Sequence, residues 1–234
     1  MKKYMFGLLI ICALISCENQ KVQLEEPQEA QVYLNPELPT IGIIIFEGVI
    51  TNEILAPLDV FSKHTAEGEK LFNVVFLSGE QKTYKTEEGL RILPDFTFEE
   101  TPKLNVLIVA SSYEPEKQYT DKKLISFIQS QYDGLDYVAS HCAGAFTLGA
   151  TGLIDDKKVV TYITGGDLLQ KEFPQLKVQD DTKVSVAKDG NYFSSNGSLV
   201  TYTASLDLLQ ELTDQGHRKY VEGSLYLDRL SVSN

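Results

Sequence analysis

Continuously apolar runs alternate along this chain with stretches that are apolar on one face only. Residues 41–46 are an unbroken apolar run, as expected of a strand buried on both faces. Ile54, Leu58 and Phe61 follow at helical spacing, and Pro57 is expected no deeper than the first turn, because further in it removes a helix hydrogen bond. Residues 72–77 and 104–109 read as strands. Asp121 is placed to cap a helix whose apolar face is Leu124, Ile125, Phe127 and Ile128. Residues 135–139 return to strand, and residues 143–150 form a helix rich in small residues. Residues 159–162 are strand-like and 167–173 helical. Lys188-Asp189-Gly190-Asn191 lies between two β-like runs, a hairpin signal. Two amphipathic helices, near 204–212 and 218–230, close the chain. This alternation predicts an α/β domain with a parallel sheet covered on both faces. In such sheets a ligand site lies at the carboxyl ends of the strands. Neither a Walker-type nor a dinucleotide-type glycine loop is present, and no cofactor is expected.

The first residues follow a different logic. Lys2 and Lys3 precede an apolar run over residues 6–15 that is too short to span a bilayer, the pattern of a signal peptide. It ends in Leu14-Ile15-Ser16-Cys17, which resembles a bacterial lipobox. Residues 1–16 are then a lipoprotein signal, and Cys17 carries a lipid that tethers the protein to a membrane of the cell envelope, with its domain outside the cytoplasm. An ordinary secretory signal containing Cys17 is the alternative. Residues 17–39 hold Glu25, Glu26, Glu29 and Glu37 with Pro27, Pro36 and Pro39, a composition expected of a flexible linker, which leaves the domain at 40–234.

The formal charge of -12, with no basic stripe, argues against nucleic acid as a partner. With Cys12 in the signal and Cys17 lipidated, Cys142 is the one thiol left to the exported chain, so neither an internal disulfide nor a cysteine-built zinc site is expected. The three histidines, His64, His141 and His217, lie too far apart in sequence to suggest a metal cluster, and His64 and His217 read as surface residues.

Cys142 sits where a buried strand runs into a helix of small residues, Ser140-His141-Cys142-Ala143-Gly144. A sharp turn there lifts the side chain toward the cleft, and helix N–H groups can stabilise a thiolate. A structural cysteine buried in the core is the other reading. His141 could lower the thiol pKa when protonated, although neighbours leaving a strand point to opposite sides.

Four segments, covering nearly all of residues 41–230, resemble the ThiJ/PfpI superfamily. They are Glu53-Ile54-Leu55-Ala56-Pro57-Leu58-Asp59-Val60-Phe61; Asn105-Val106-Leu107-Ile108-Val109; the Cys142 elbow with Leu148-Gly149-Ala150-Thr151-Gly152-Leu153-Ile154; and Lys188-Asp189-Gly190-Asn191 through Gly197 to Ala204-Ser205-Leu206-Asp207. The stretch from 142 to 154 is similar to the isonitrile-hydratase-like and AraC-regulator-like branches. The resemblance implies a three-layer α/β/α sandwich of the flavodoxin-like, class I glutamine amidotransferase-like type, and a homodimer. It implies Cys142 as nucleophile, Glu53 as its proton partner, and the Ala143 N–H in an oxyanion hole, with a small-molecule substrate. Without it, Glu53 would read as a solvated carboxylate at a helix start. Two departures stand out. Tyr162 falls where many catalytic relatives carry a histidine, and Ser111-Ser112 where relatives have a Gly-Gly turn. Both favour the alternative of a ligand-binding or thiol redox-sensing domain.

Overall fold

The run at the start of the domain forms β1 (Thr40–Ile44), buried along its whole length. In the computed structural model residues 32–230 are described, and one compact unit begins at Leu34. The signal-like segment, Cys17 and most of the expected linker lie outside the described residues. Residues 35–38 are already tied to the domain, because the Asn73 side chain donates to the carbonyls of Asn35 and Leu38 and accepts from the Asn35 N–H.

From β1 the chain enters α1 (Thr51–Phe61), then β2 (Asn73–Ser78) and three two-residue strands, β3 (Tyr84–Lys85), β4 (Arg91–Ile92) and β5 (Phe96–Thr97). It continues through β6 (Val106–Val109), α2 (Glu116–Tyr119), α3 (Lys122–Gln131), β7 (Tyr137–His141) and α4 (Gly144–Thr151). The last third holds β8 (Lys158–Val159), α5 (Gly166–Glu172), β9 (Lys177–Val178), β10 (Val186–Asp189), β11 (Tyr192–Ser195), α6 (Val200–Leu212), α7 (Gln215–Ser224) and α8 (Leu227–Leu230).

Seven strands form the central sheet in the order β10-β11-β7-β6-β1-β2-β5. All neighbours are parallel except β10 and β11, the expected hairpin, which turns at Gly190 with φ of 64°. A two-residue loop of this kind needs a positive φ, which glycine adopts without strain. On one face Ile41, Ile43, Ile108, Ala139 and Phe193 pack with Ile54, Val60 and Phe61 of α1, Leu206 and Leu209 of α6, and Val221 of α7. On the other face α4 lies against β6 and β7 and carries α2 and α3. The expected three-layer α/β architecture is the one observed.

Pro57 departs from expectation. It is the seventh residue of the eleven in α1. A proline nitrogen cannot donate, so the carbonyl four residues back, that of Glu53, loses its helix partner. The strand expected at 159–162 stops at Val159, and the closing helix breaks near Tyr226, whose φ is 57°. Asp121 caps α3 as expected, its side chain accepting from the Lys123 and Leu124 N–H groups.

Candidate active site

Cys142 follows β7 directly and has a φ of 53°. That left-handed conformation strains a residue with a Cβ, and the surrounding bonds hold it in place. The Cys142 N–H donates to the Ser195 carbonyl at 2.9 Å. The Thr161 hydroxyl donates to the Cys142 carbonyl at 2.8 Å. α4 then starts two residues on with Gly144, where a Cβ would stand 2.3 Å from the Val109 carbonyl oxygen. Only a glycine lets the helix start this close to β6, so the elbow depends on it.

Glu53 comes from the first turn of α1 and is fully buried. Its Oε2 accepts the Ser111 N–H at 2.8 Å. Its Oε1 makes no hydrogen bond of full geometry among the described residues, but the carboxyl lies close enough to the Cys142 thiol and the Ser198 N–H for both to act on its pKa. Gly197, in the turn after β11, locates Glu53 relative to the thiol. A Cβ on Gly197 would lie 2.5 Å from Glu53 Oε1 and 2.4 Å from Cys142 Cβ, so both groups press against the same glycine. Gly197 also has a φ of 85°, which disfavours any other residue there.

The electrostatics follow from this enclosure. Burial raises the Glu53 pKa, opposed by hydrogen bonds from Ser111. Burial pushes the Cys142 thiol up to about 12, and the Glu53 charge adds to the rise. The Ser111 hydroxyl and the Ala143 N–H act the other way without overcoming it. The helix start was expected to favour a thiolate. In the folded chain desolvation and the neighbouring carboxylate win, and the resting thiol is neutral.

The remaining candidates divide. Ala143 stays at the site, its N–H directed to the Cys142 side chain. Ser111 serves the site by holding Glu53, which commits its N–H to the carboxylate rather than to a substrate oxygen. Ser112 turns away, its hydroxyl donating to Gln118 Oε1 at 2.6 Å. Tyr162 lies beyond the end of β8, in a turn whose Gly165 sits under its ring. It stacks on Phe146 of α4, with centroids 6.2 Å apart. Burial, then the Cys142 charge, raises its pKa, so it is a hydrogen-bond donor and no base. His141 makes no hydrogen bond to the thiol. Its Nδ1 lies 2.9 Å from Ser195 Oγ, and full burial pushes its pKa down to about 3. It is therefore neutral near pH 7 and cannot lower the thiol pKa by charge. His64 is exposed as expected, whereas His217 is half-buried against Tyr220. Among the described residues no cluster of histidine, cysteine and carboxylates could hold a metal ion.

Three residues that shape the site carried little sequence signal: Thr161, Ser195 and Gly197. A glycine between a strand and a helix marks Gly197 as a turn, but nothing in the string shows that the turn lands on Cys142 and Glu53.

A strained cysteine at a strand-to-helix turn, with a buried carboxyl group pressed beside it, is set here in an α/β protein with a mostly parallel central sheet. The chain belongs to the DJ-1/PfpI family, also called ThiJ/PfpI, whose pattern matches residues 39–211. It is 31% identical over 172 residues to the isonitrile hydratase of Pseudomonas putida, covering 74% of this chain and 71% of that protein. It is 23% identical over 192 residues to the HTH-type transcriptional regulator GbdR of Pseudomonas aeruginosa, covering 82% of this chain and 50% of the regulator, so it spans about half that protein's length. Among solved structures, a ThiJ/PfpI family protein from Pseudomonas syringae shares the fold, with a TM-score of 0.71 at 20% identity over 84% of this chain and 76% of that one.

Proposed function

We propose that this domain is a cysteine-dependent enzyme that hydrates a small electrophile, an organic isocyanide in the first instance, with Cys142 as nucleophile and Glu53 as its proton partner. The observation that carries this reading is the shared contact of Cys142 Cβ and Glu53 Oε1 with Gly197. The identity to an isonitrile hydratase points to the same substrate class.

A neutral thiol suits this chemistry, because the isocyanide carbon must accept both sulfur and a proton. In the proposed cycle the S–C bond forms while the thiol proton passes through the Glu53 carboxylate to that carbon, giving a thioimidate. Glu53 then takes a proton from water as its oxygen attacks the same carbon, and delivers it to nitrogen. The C–S bond breaks, the remaining hydroxyl proton returns to sulfur, and a formamide leaves. The net change is addition of one water to one isocyanide. A carboxyl with a raised pKa fits a group that must give and take a proton near neutral pH.

The test is turnover of an alkyl isocyanide to its formamide by the purified chain. Glu53→Gln is expected to lower kcat at least about 100-fold, the size of a lost acid–base group, and Cys142→Ser to abolish turnover. Turnover that survives in Cys142→Ser sinks the reading. A second reading, a ligand-binding domain without turnover, is favoured by the Ser111 N–H being committed to Glu53 and by the similarity to a regulator. Wild-type chain that binds isocyanide without converting it would establish that one instead.

We propose further that the chain acts in the cell envelope, held by a lipid on Cys17, from the lipobox-like Leu14-Ile15-Ser16-Cys17. Growth with labelled palmitate should mark the wild type and leave Cys17→Ser unlabelled. Label absent from the wild type would exclude the anchor.

A further inference from the structure

His141 is expensive where it sits. Its side chain is buried and uncharged, and its Nε2 has no hydrogen-bond partner among the described residues. Either tautomer leaves that nitrogen unsatisfied, because only Nδ1 is bonded. A leucine would fill nearly the same volume without an orphaned nitrogen. Packing therefore does not account for an imidazole here.

What the imidazole adds is a bond to Ser195, and Ser195 is a hub. Its carbonyl accepts the Cys142 N–H at 2.9 Å, and its hydroxyl oxygen accepts the Gly197 N–H at 3.3 Å. Gly197 is the residue against which both Cys142 and Glu53 are pressed. In the sheet Ser195 is the register partner of His141 itself. Left alone, a serine hydroxyl rotates among three staggered positions. The bond to Nδ1 fixes it in the one that receives Gly197.

We propose that His141 is a positioning residue: through Ser195 and Gly197 it sets how closely Cys142 and Glu53 approach each other. It makes no hydrogen bond to the thiol or the carboxylate, and acts without changing charge. The inference rests on Cys142 and Glu53 forming the reactive pair. It predicts that the imidazole is kept for the site at the expense of the core.

The experiment compares full-length wild type with His141→Leu, His141→Asn, Ser195→Ala and Glu53→Gln. It reads the thermal midpoint, and the iodoacetamide reaction at Cys142 followed by peptide mass spectrometry at pH 7. His141→Leu should keep or raise the thermal midpoint while loosening the pair, so that Cys142 alkylation rises about fivefold. Ser195→Ala should give the same rise. His141→Asn, whose amide can occupy the Nδ1 position, should stay within about twofold of wild type. Rates for His141→Leu and Ser195→Ala within twofold of wild type, beside a changed rate for Glu53→Gln, would overturn the positioning role alone. If His141→Leu fails to fold, an unchanged rate in Ser195→Ala overturns it equally. A Glu53→Gln rate equal to wild type would instead remove the reactive pair on which the inference stands.

Discussion

At the scale of single residues, the contest at Cys142 is between a helix start that favours negative charge and an enclosure that opposes it. Ala143 N–H and Ser111 stabilise the thiolate, while burial and Glu53 destabilise it by more. With the thiol pushed up to about 12, thiolate is scarce at neutral pH. Alkylation of Cys142 at pH 7 should therefore run at least about 100-fold slower than that of free cysteine, and accelerate with pH past the range where an ordinary thiol has levelled off. Glu53→Gln removes one of the causes, since a neutral amide no longer repels the developing charge, and should raise the rate at pH 7. A rate at or above that of free cysteine in the wild type would show that the elbow N–H groups outweigh burial. The same balance argues against Cys142 as a fast oxidant sensor, because that role needs thiolate at neutral pH.

At the scale of elements, α1 and α6 bring polar groups to the sheet face they cover. Glu53 enters from α1, and Thr201 and Ser205 lie one turn apart on the buried side of α6. Both α6 hydroxyls lack a hydrogen-bond partner among the described residues. Burying such a group costs about 1–3 kcal/mol, and valine matches the shape of threonine without the oxygen. Thr201→Val should leave stability unchanged or raise it by about 1 kcal/mol in urea unfolding. A loss of 2 kcal/mol or more, on the order of a broken buried hydrogen bond, would show that the hydroxyl is satisfied in solution. The sequence displayed much of this layer and concealed its polar contacts. Buried strands, the Asp121 cap and the Gly190 hairpin were legible because each depends on neighbours in the chain. Pro57 was misplaced because tertiary packing of α1 tolerates a lost helix bond that propensity alone forbids. The use of the Ser111 N–H was invisible, because it depends on a side chain 58 positions away. β3, β4 and β9 leave too short a pattern to read at two residues each, whereas β8 is legible but shorter than its apolar run suggests.

At the scale of the whole molecule, the alternation of strands and helices gave the parallel sheet and hence the edge where the site lies. Cys142, Glu53 and Gly197 come from three separate crossings of that edge, and only the fold joins them. The fold also ties stability to pH through a residue with no charge of its own near neutrality. His141 has its pKa pushed from 6.5 to about 3 by burial. Between those values the unfolded chain takes up a proton that the folded chain refuses, so protonation favours unfolding and stability falls with the pH. Glu53 works in the opposite sense. Its pKa is raised from 4.5, so its contribution weakens the fold as the pH rises above that value. Comparing His141→Leu with its parent in a Glu53→Gln background isolates the first effect, since Glu53 then titrates in neither protein. The variant should gain on that parent by about 1.4 kcal/mol for each pH unit below 6.5, the free energy of one proton per unit, until the gain levels off near pH 3. Urea midpoints at pH 7 and pH 5 measure it. A difference between the two proteins that stays constant over that interval would mean that His141 takes up its proton in the folded state, and that the ring is neither as buried nor as firmly held by Ser195 as its geometry requires.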